Sequence, residues 1–182
     1  LDAIERLAQE AKFGDVRKNP GISIKLSALH PRYEYIKRET VIDEMVARVI
    51  ELVKPAAQAQ MGLNIDAEEA DRLDISLDII EKVLKHEELE GWDGFGVVVQ
   101  AYGPRASFVL DWLYALAEKL DRKIMVRLVK GAYWDTEVKR AQVMGLSGYP
   151  VFTRKVNTDI SYLGCARKLL DMQDRIYPQF AT

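Results

Sequence analysis

Gly96-Val-Val-Val-Gln100, Phe108–Leu120 and Ile124-Met-Val-Arg-Leu-Val129 together form the stretch that decides the fold. Two short runs rich in β-branched residues flank a longer run with helical spacing. A strand, a helical crossover and a second strand make a βαβ unit, and its two strands run parallel. Upstream, Gly62-Leu-Asn-Ile-Asp66 and Ile22-Ser-Ile-Lys-Leu26 read as two more strands. Downstream, Ile176–Ala181 reads as a fifth. Between them lie helical patterns. Val41–Lys54 carries an apolar face at Ile42, Met45, Val46, Val49 and Val53. A second stripe runs through Ala70, Leu73, Leu77, Ile80 and Leu84. Thr40 with Asp43 resembles a helix start, and Pro55 predicts a kink or a restart. Pro104 is expected as a first helical residue. Helices are also expected from near Thr136 to before Gly145, and over Thr158–Leu170. Leu1–Lys12 gives a leading helical face, broken by Asn19-Pro20-Gly21.

The chain is therefore read as one α/β domain over 1–182, with a leading helix in 1–19 and βα units in 20–182. No hairpin signal such as Asn-Gly interrupts the series. A doubly wound sheet and a barrel both fit such a series. No G-x-G-x-x-G follows a strand, which counts against a dinucleotide-binding fold. A parallel (β/α)8 TIM-like barrel is the expected class. Five strands are too few to close one, so this chain would supply about five of eight, as a fragment.

Composition narrows the function. The 182 residues are 48% hydrophobic and 30% charged, with net charge −2. That balance points to no nucleic acid partner. The single cysteine, Cys165, fits a reducing compartment and excludes an internal disulfide. It reads as a buried structural thiol. Two histidines, His30 and His86, show no metal-ligand spacing, so no metal is expected. No run of about 18 apolar residues is present.

Strand alternation locates the chemistry. Side chains point to opposite faces in turn. One parity is apolar: Ile22, Ile24, Leu63, Ile65, Val97, Val99, Val126 and Leu128. The other carries Lys25, Asp66, Gln100 and Arg127, each near the C-terminal end of its strand. In a barrel that face is the lumen and that level is the mouth, where active sites are built. A structural network of lumen charges is the competing reading. Two cations around one carboxylate suit a substrate carboxylate or an electron-rich cofactor ring. The turn Val129-Lys-Gly-Ala-Tyr-Trp134 allows close backbone approach to a phosphate before a helix N-terminus. Tyr133 and Trp134 can stack on a flat ligand or simply pack.

Six motifs carry a family resemblance. They are Gly21-Ile-Ser-Ile-Lys-Leu-Ser-Ala-Leu-His-Pro-Arg-Tyr33, Asn64-Ile-Asp-Ala-Glu-Glu-Ala-Asp-Arg-Leu73, Val99-Gln-Ala-Tyr102, Val126–Asp135, Gly148–Lys155 and Tyr177–Thr182. From about Pro20 to Thr182 the chain resembles the proline dehydrogenase domain of the bacterial bifunctional proline-utilisation flavoenzymes. The resemblance implies FAD over the strand C-termini of a modified (β/α)8 barrel. It implies oxidation of L-proline to pyrroline-5-carboxylate by hydride transfer to flavin N5, with electrons passed to a membrane quinone. By resemblance, Lys25 binds the proline carboxylate and Tyr133 closes over substrate. Asp66 and Arg127 are the catalytic pair. Asp66, Ala67, Gln100, Arg127, Val129, Lys130, Gly131, Ala132, Tyr133 and Trp134 contact the flavin. Thr153 and Lys155 match its adenosine and phosphate end, and Thr182 matches a further flavin contact.

The resemblance also implies an aldehyde dehydrogenase domain on the same parent chain and is compatible with a homo-oligomer. Cytoplasmic placement is expected, with a peripheral position at the inner membrane as an option; a DNA-binding domain is left open. The family's paired carboxylate-clamping arginines fall outside the matched motifs, so this piece alone is expected to be inactive. Two other classes are weighed beside it. One is a Schiff-base aldolase-like barrel using Lys25 or Lys130 as nucleophile. The other is a non-catalytic barrel remnant.

Overall fold

The fold comes from a computed structural model that describes residues 1–181. Five strands form one sheet in chain order: β1 (Gly21–Ile24), β2 (Gly62–Ile65), β3 (Phe95–Gln100), β4 (Ile124–Val129) and β5 (Ile176–Phe180). Every neighbouring pair is parallel. Six α-helices accompany them: α1 (Asp2–Ala8), α2 (Arg38–Gln58), α3 (Leu73–Leu84), α4 (Ala106–Lys119), α5 (Trp134–Val143) and α6 (Lys155–Asp171). Sequential order with a helix after each of the first four strands is the βα series expected of a barrel segment.

The apolar parity of the strands packs against the helices. Leu63, Val126 and Leu128 are fully buried there, and Ile65, Val97 and Val99 nearly so. Met45, Val49 and Val53 of α2 meet them with no exposed surface, as do Ile75 of α3 and Leu113 of α4. Each such side chain contributes about 1.5–3 kcal/mol on leaving water. This layer holds the strand C-termini, and the loops they carry, in place.

The opposite face is concave, and one contact measures its curvature. Arg127 of β4 donates through Nη1 to Ser23 Oγ of β1 at 2.8 Å. Two strands lie between them. Three strand spacings of about 4.8 Å would put them about 14 Å apart in a flat sheet. An arginine and a serine cannot span that gap directly, so the sheet curls into an arc of a barrel around this face.

Element boundaries depart from the sequence reading at several places. Pro55 does not restart α2, which runs as one helix through it. Pro55 forfeits only one intrahelical bond and lies in the last turn, while Val53 and Ala56 beside it are fully buried. That helix also begins earlier than Thr40, at Arg38, after a 3-10 turn over Tyr35–Lys37. Pro104 sits in the turn before α4 rather than in its first position, where Ala106 N–H bonds to Gly103 O. Helices α5 and α6 begin at Trp134 and Lys155, earlier than Thr136 and Thr158. Neither has a side-chain cap that the sequence could have announced.

Inside the arc, packing is close enough to select single residues. A Cβ on Gly96 of β3 would sit 1.9 Å from Asn64 Oδ1, and Asn64 is 2% exposed. Gly96→Ala must therefore displace a buried amide. We expect it to lower stability by about 1–3 kcal/mol, the usual cost of overpacking, read as a fall in the denaturant midpoint of the intact protein.

Candidate functional site

Lys25, Asp66 and Arg127 come together at the C-terminal mouth of the arc. Lys25 directly follows β1, and Asp66 directly follows β2. The Asp66 N–H donates to Ile24 O at 2.8 Å, extending the sheet by one rung. Lys25 Nζ lies 3.1 Å from Asp66 Oδ2. The carboxylate raises the Lys25 pKa, mainly through this hydrogen bond, and Tyr133 adds to the effect. Arg127 lies in β4 with Val98 as its β3 partner and Gln179 as its β5 partner.

Gln100 stands one pleat farther out than the sequence reading placed it. Its β4 partner is Val129, not Arg127. From there its amide reaches the loops. It donates to Glu68 O at 2.9 Å and accepts from the Ala132 N–H at 3.1 Å. Gln100 thus ties the loop after β2, which contains Ala67, to the loop after β4.

The loop after β4 is pressed onto Tyr102. The Tyr102 N–H donates to Lys130 O at 2.7 Å, and the Ala101 N–H donates to Val129 O at 2.8 Å. Gly131 has φ +141°, and a Cβ there would fall 2.3 Å from the Tyr102 ring. Only glycine fits both constraints. Ala132, Tyr133 and Trp134 are thereby carried outward. Ala132 and Trp134 are exposed, and Tyr133 is half-buried. Trp134 Nε1 donates to Phe152 O at 2.9 Å, which fixes the indole against the segment before α6.

A second cationic group sits on the rim. Lys130 and Lys155 both donate to Asp159, each at 2.7 Å. The two ammoniums hold the Asp159 carboxylate below its ordinary range, and Asp159 raises the Lys130 pKa. Two lysines sharing one carboxylate leave a net positive charge beside the N-terminus of α6. Thr153 is exposed just ahead of that helix. Thr182 lies outside the described residues.

A partly open pocket of about 70 Å³ lies under the β2–α3 loop, with Asp66, Ala67 and Gln100 among its lining residues. Leu77, Ile80, Val97 and Val109 line its other side, so it runs from the loop residues into the helix layer.

Several participants escaped the sequence reading. Gln179 shares the Arg127 level, and its Oε1 is buried without a partner among the described residues. Its parity could have revealed it. Ser23 shares the parity of Lys25, but nothing local marks it as the partner of Arg127. Tyr102, Glu137 and Asp159 act through contacts across the fold and carry no local signal.

A family model described as Proline dehydrogenase matches residues 1–182. The chain belongs to the proline dehydrogenase family. It is 55% identical to the bifunctional protein PutA of Klebsiella aerogenes over 180 residues, 99% of this chain and 14% of that protein. The bifunctional protein PutA of Rhizobium meliloti is 55% identical over 92% of this chain and 13% of its own length. The chain thus spans about one seventh of the curated relatives it matches. A mutant of Bradyrhizobium japonicum proline utilization A superposes with TM-score 0.97 at 55% identity, covering 100% of this chain and 19% of that one. A proline utilization A from Bdellovibrio bacteriovorus, inactivated by N-propargylglycine, gives 0.90 at 26% identity, covering 100% and 20%.

The Lys25–Asp66 pair can be tested directly. Removing the negative partner withdraws the largest stabilisation of the ammonium. We expect Asp66→Asn to lower the Lys25 pKa toward the ordinary lysine value of 10.5, read by NMR titration of the Lys25 side chain.

Proposed function

We propose that the parent protein oxidises L-proline to pyrroline-5-carboxylate with a bound FAD, and that this segment builds the substrate and flavin mouth of that domain. The convergence of Lys25, Asp66 and Arg127 at the mouth of a curled parallel sheet, in a member of this family, carries the proposal. The residues present suit a flavin. A fixed guanidinium lies at the mouth, a net positive lysine pair lies on the rim, and an exposed indole and a glycine-hinged loop lie between.

Bound flavin supplies a two-electron acceptor. Everything else falls to side chains. Lys25 stays protonated beside Asp66 and presents a cation to the proline carboxylate. Tyr133, close enough to influence Lys25, covers the substrate side. Arg127, anchored on Ser23, offers a fixed positive charge where negative charge develops on reduction. Lys130 and Lys155, with Thr153 nearby, hold the phosphate and adenosine end. Gln100 and Ala132 set the distance between the two loops.

The Schiff-base alternative is disfavoured. A nucleophilic lysine needs a depressed pKa, and Lys25 and Lys130 are both raised by carboxylate partners. The relatives are named bifunctional, so we extend the proposal to an aldehyde dehydrogenase domain on the parent chain. Electron delivery to a membrane quinone, from a cytoplasmic protein peripheral to the inner membrane, completes it.

Two results test this. Anaerobic L-proline should bleach the flavin bands of the intact protein; a colourless protein, or bands indifferent to proline, refutes the proposal. Lys25→Met should raise KM for proline by about 10–100-fold, the loss of one charge-assisted contact, and leave flavin affinity unchanged.

A further inference from the structure

The β2–α3 loop, which carries Asp66 and Ala67, is joined to the segment after β4 in three places. Gln100 bridges Glu68 O and the Ala132 N–H. Arg140 of α5 pairs with Asp71 at 2.6 Å. The third tie is Glu137. Its Oε1 accepts the Ala70 N–H at 2.6 Å, across 67 positions of sequence.

Glu137 differs from the other two. It is 3% exposed, whereas the Arg140 and Asp71 side chains are nearly half exposed. Burial pushes its carboxyl pKa up. An isolated buried carboxyl is costly, so its surroundings matter. Ala70 opens the 3-10 turn Ala70–Arg72 that leads into α3, and its N–H belongs to the unpaired first turn. Glu137 satisfies that donor from another helix. Glu137 itself sits in the first turn of α5, where its N–H bonds to Tyr133 O at 2.9 Å. One side chain therefore connects the backbone after Asp66 to the backbone that presents Tyr133. Tyr102 lies beneath both. Its hydroxyl is buried without a partner among the described residues, and the Glu137 charge acts on it.

We infer that Glu137 is a positioning residue, fastening the β2–α3 loop to the start of α5 and so fixing Asp66 relative to Tyr133 and Arg127. Its relevance to flavin rests on the proposed function; the backbone tie itself does not.

The experiment uses the intact protein, with FAD as the probe. Glu137→Ala removes the acceptor, Glu137→Gln keeps a carbonyl oxygen in its place, and Ala70→Pro removes the donor. Proline is tolerated there, because Ala70 opens the turn and Glu69 at φ −61°, ψ 152° has the conformation that precedes proline. We expect Glu137→Ala and Ala70→Pro each to weaken FAD affinity about tenfold, and the double variant to be no weaker than either single, as for one lost hydrogen bond. Glu137→Gln should stay within about threefold of the parent. In the FAD-free proteins, amide exchange over residues 67–72 should speed up in Glu137→Ala and stay slow in Glu137→Gln. Amides of β3 and β4 should remain protected in both.

A neutral Ala70→Pro, or unchanged exchange over 67–72 in Glu137→Ala, overturns the inference. So does Glu137→Gln failing as badly as Glu137→Ala. If Glu137→Ala does not fold, Ala70→Pro and Glu137→Gln decide the matter alone. If the parent binds no FAD, the proposed function fails, while the exchange comparison still decides whether Glu137 holds the loop.

Discussion

Arg127 reaches across the concave face and bonds to Ser23, with two whole strands between them. That contact exists only because the parallel sheet curls. The curl in turn follows from the right-handed strand twist and from a convex face covered by α2, α3 and α4. Once the face is concave, strand ends that would otherwise fan apart converge. Lys25, Asp66 and Arg127 lie at one mouth for that reason, although up to 102 positions of sequence separate them. A flat sheet with the same residues would keep the Lys25–Asp66 pair of neighbouring strands but leave Arg127 as a separate, solvated charge.

The loops above this mouth are held by a second device, side chains that reach backbone groups of other elements. Gln100 spends its amide on two backbone groups from different loops, and Glu137 spends its carboxyl on a third. The ties differ in weight, because a buried group such as the Glu137 carboxyl left without its partner loses about 1–3 kcal/mol, whereas the Ala132 N–H is exposed. They are effective together, because they fix backbone rather than flexible side-chain tips. Gly131 shows the same economy of space, with its backbone pressed on the Tyr102 ring where no side chain fits. The rim is built differently. Lys130, Lys155 and Asp159 remain accessible and adjustable.

The strand series and its two faces were legible in the sequence, because β-strand alternation is local and each strand carries its own signal. Lys25, Asp66 and Arg127 could be placed on one face from parity alone. Level was harder to read. Gln100 shares the parity but not the rung, and register is set by pairing that no single strand reveals. Glu137, Tyr102 and Asp159 were invisible for a related reason. A glutamate on an amphipathic helix looks solvated until the partner, 67 positions away, is known. Pro55 misled in the opposite direction, since local propensity yields to burial in a helix whose last turn it occupies. For Thr153 and Lys155, which are exposed and lie off the strands, only the family resemblance suggests a role; periodicity is silent on them.

The most direct measurement is the midpoint potential of FAD bound to the intact protein, compared between the parent and Arg127→Met. A guanidinium fixed at the mouth should stabilise the reduced ring. We expect its removal to make the potential more negative by roughly 30–60 mV, the two-electron equivalent of a charge-assisted hydrogen bond of about 1.5–3 kcal/mol. An unchanged potential, with FAD still bound, would mean that Arg127 only braces the arc through Ser23 and that the flavin ring lies elsewhere.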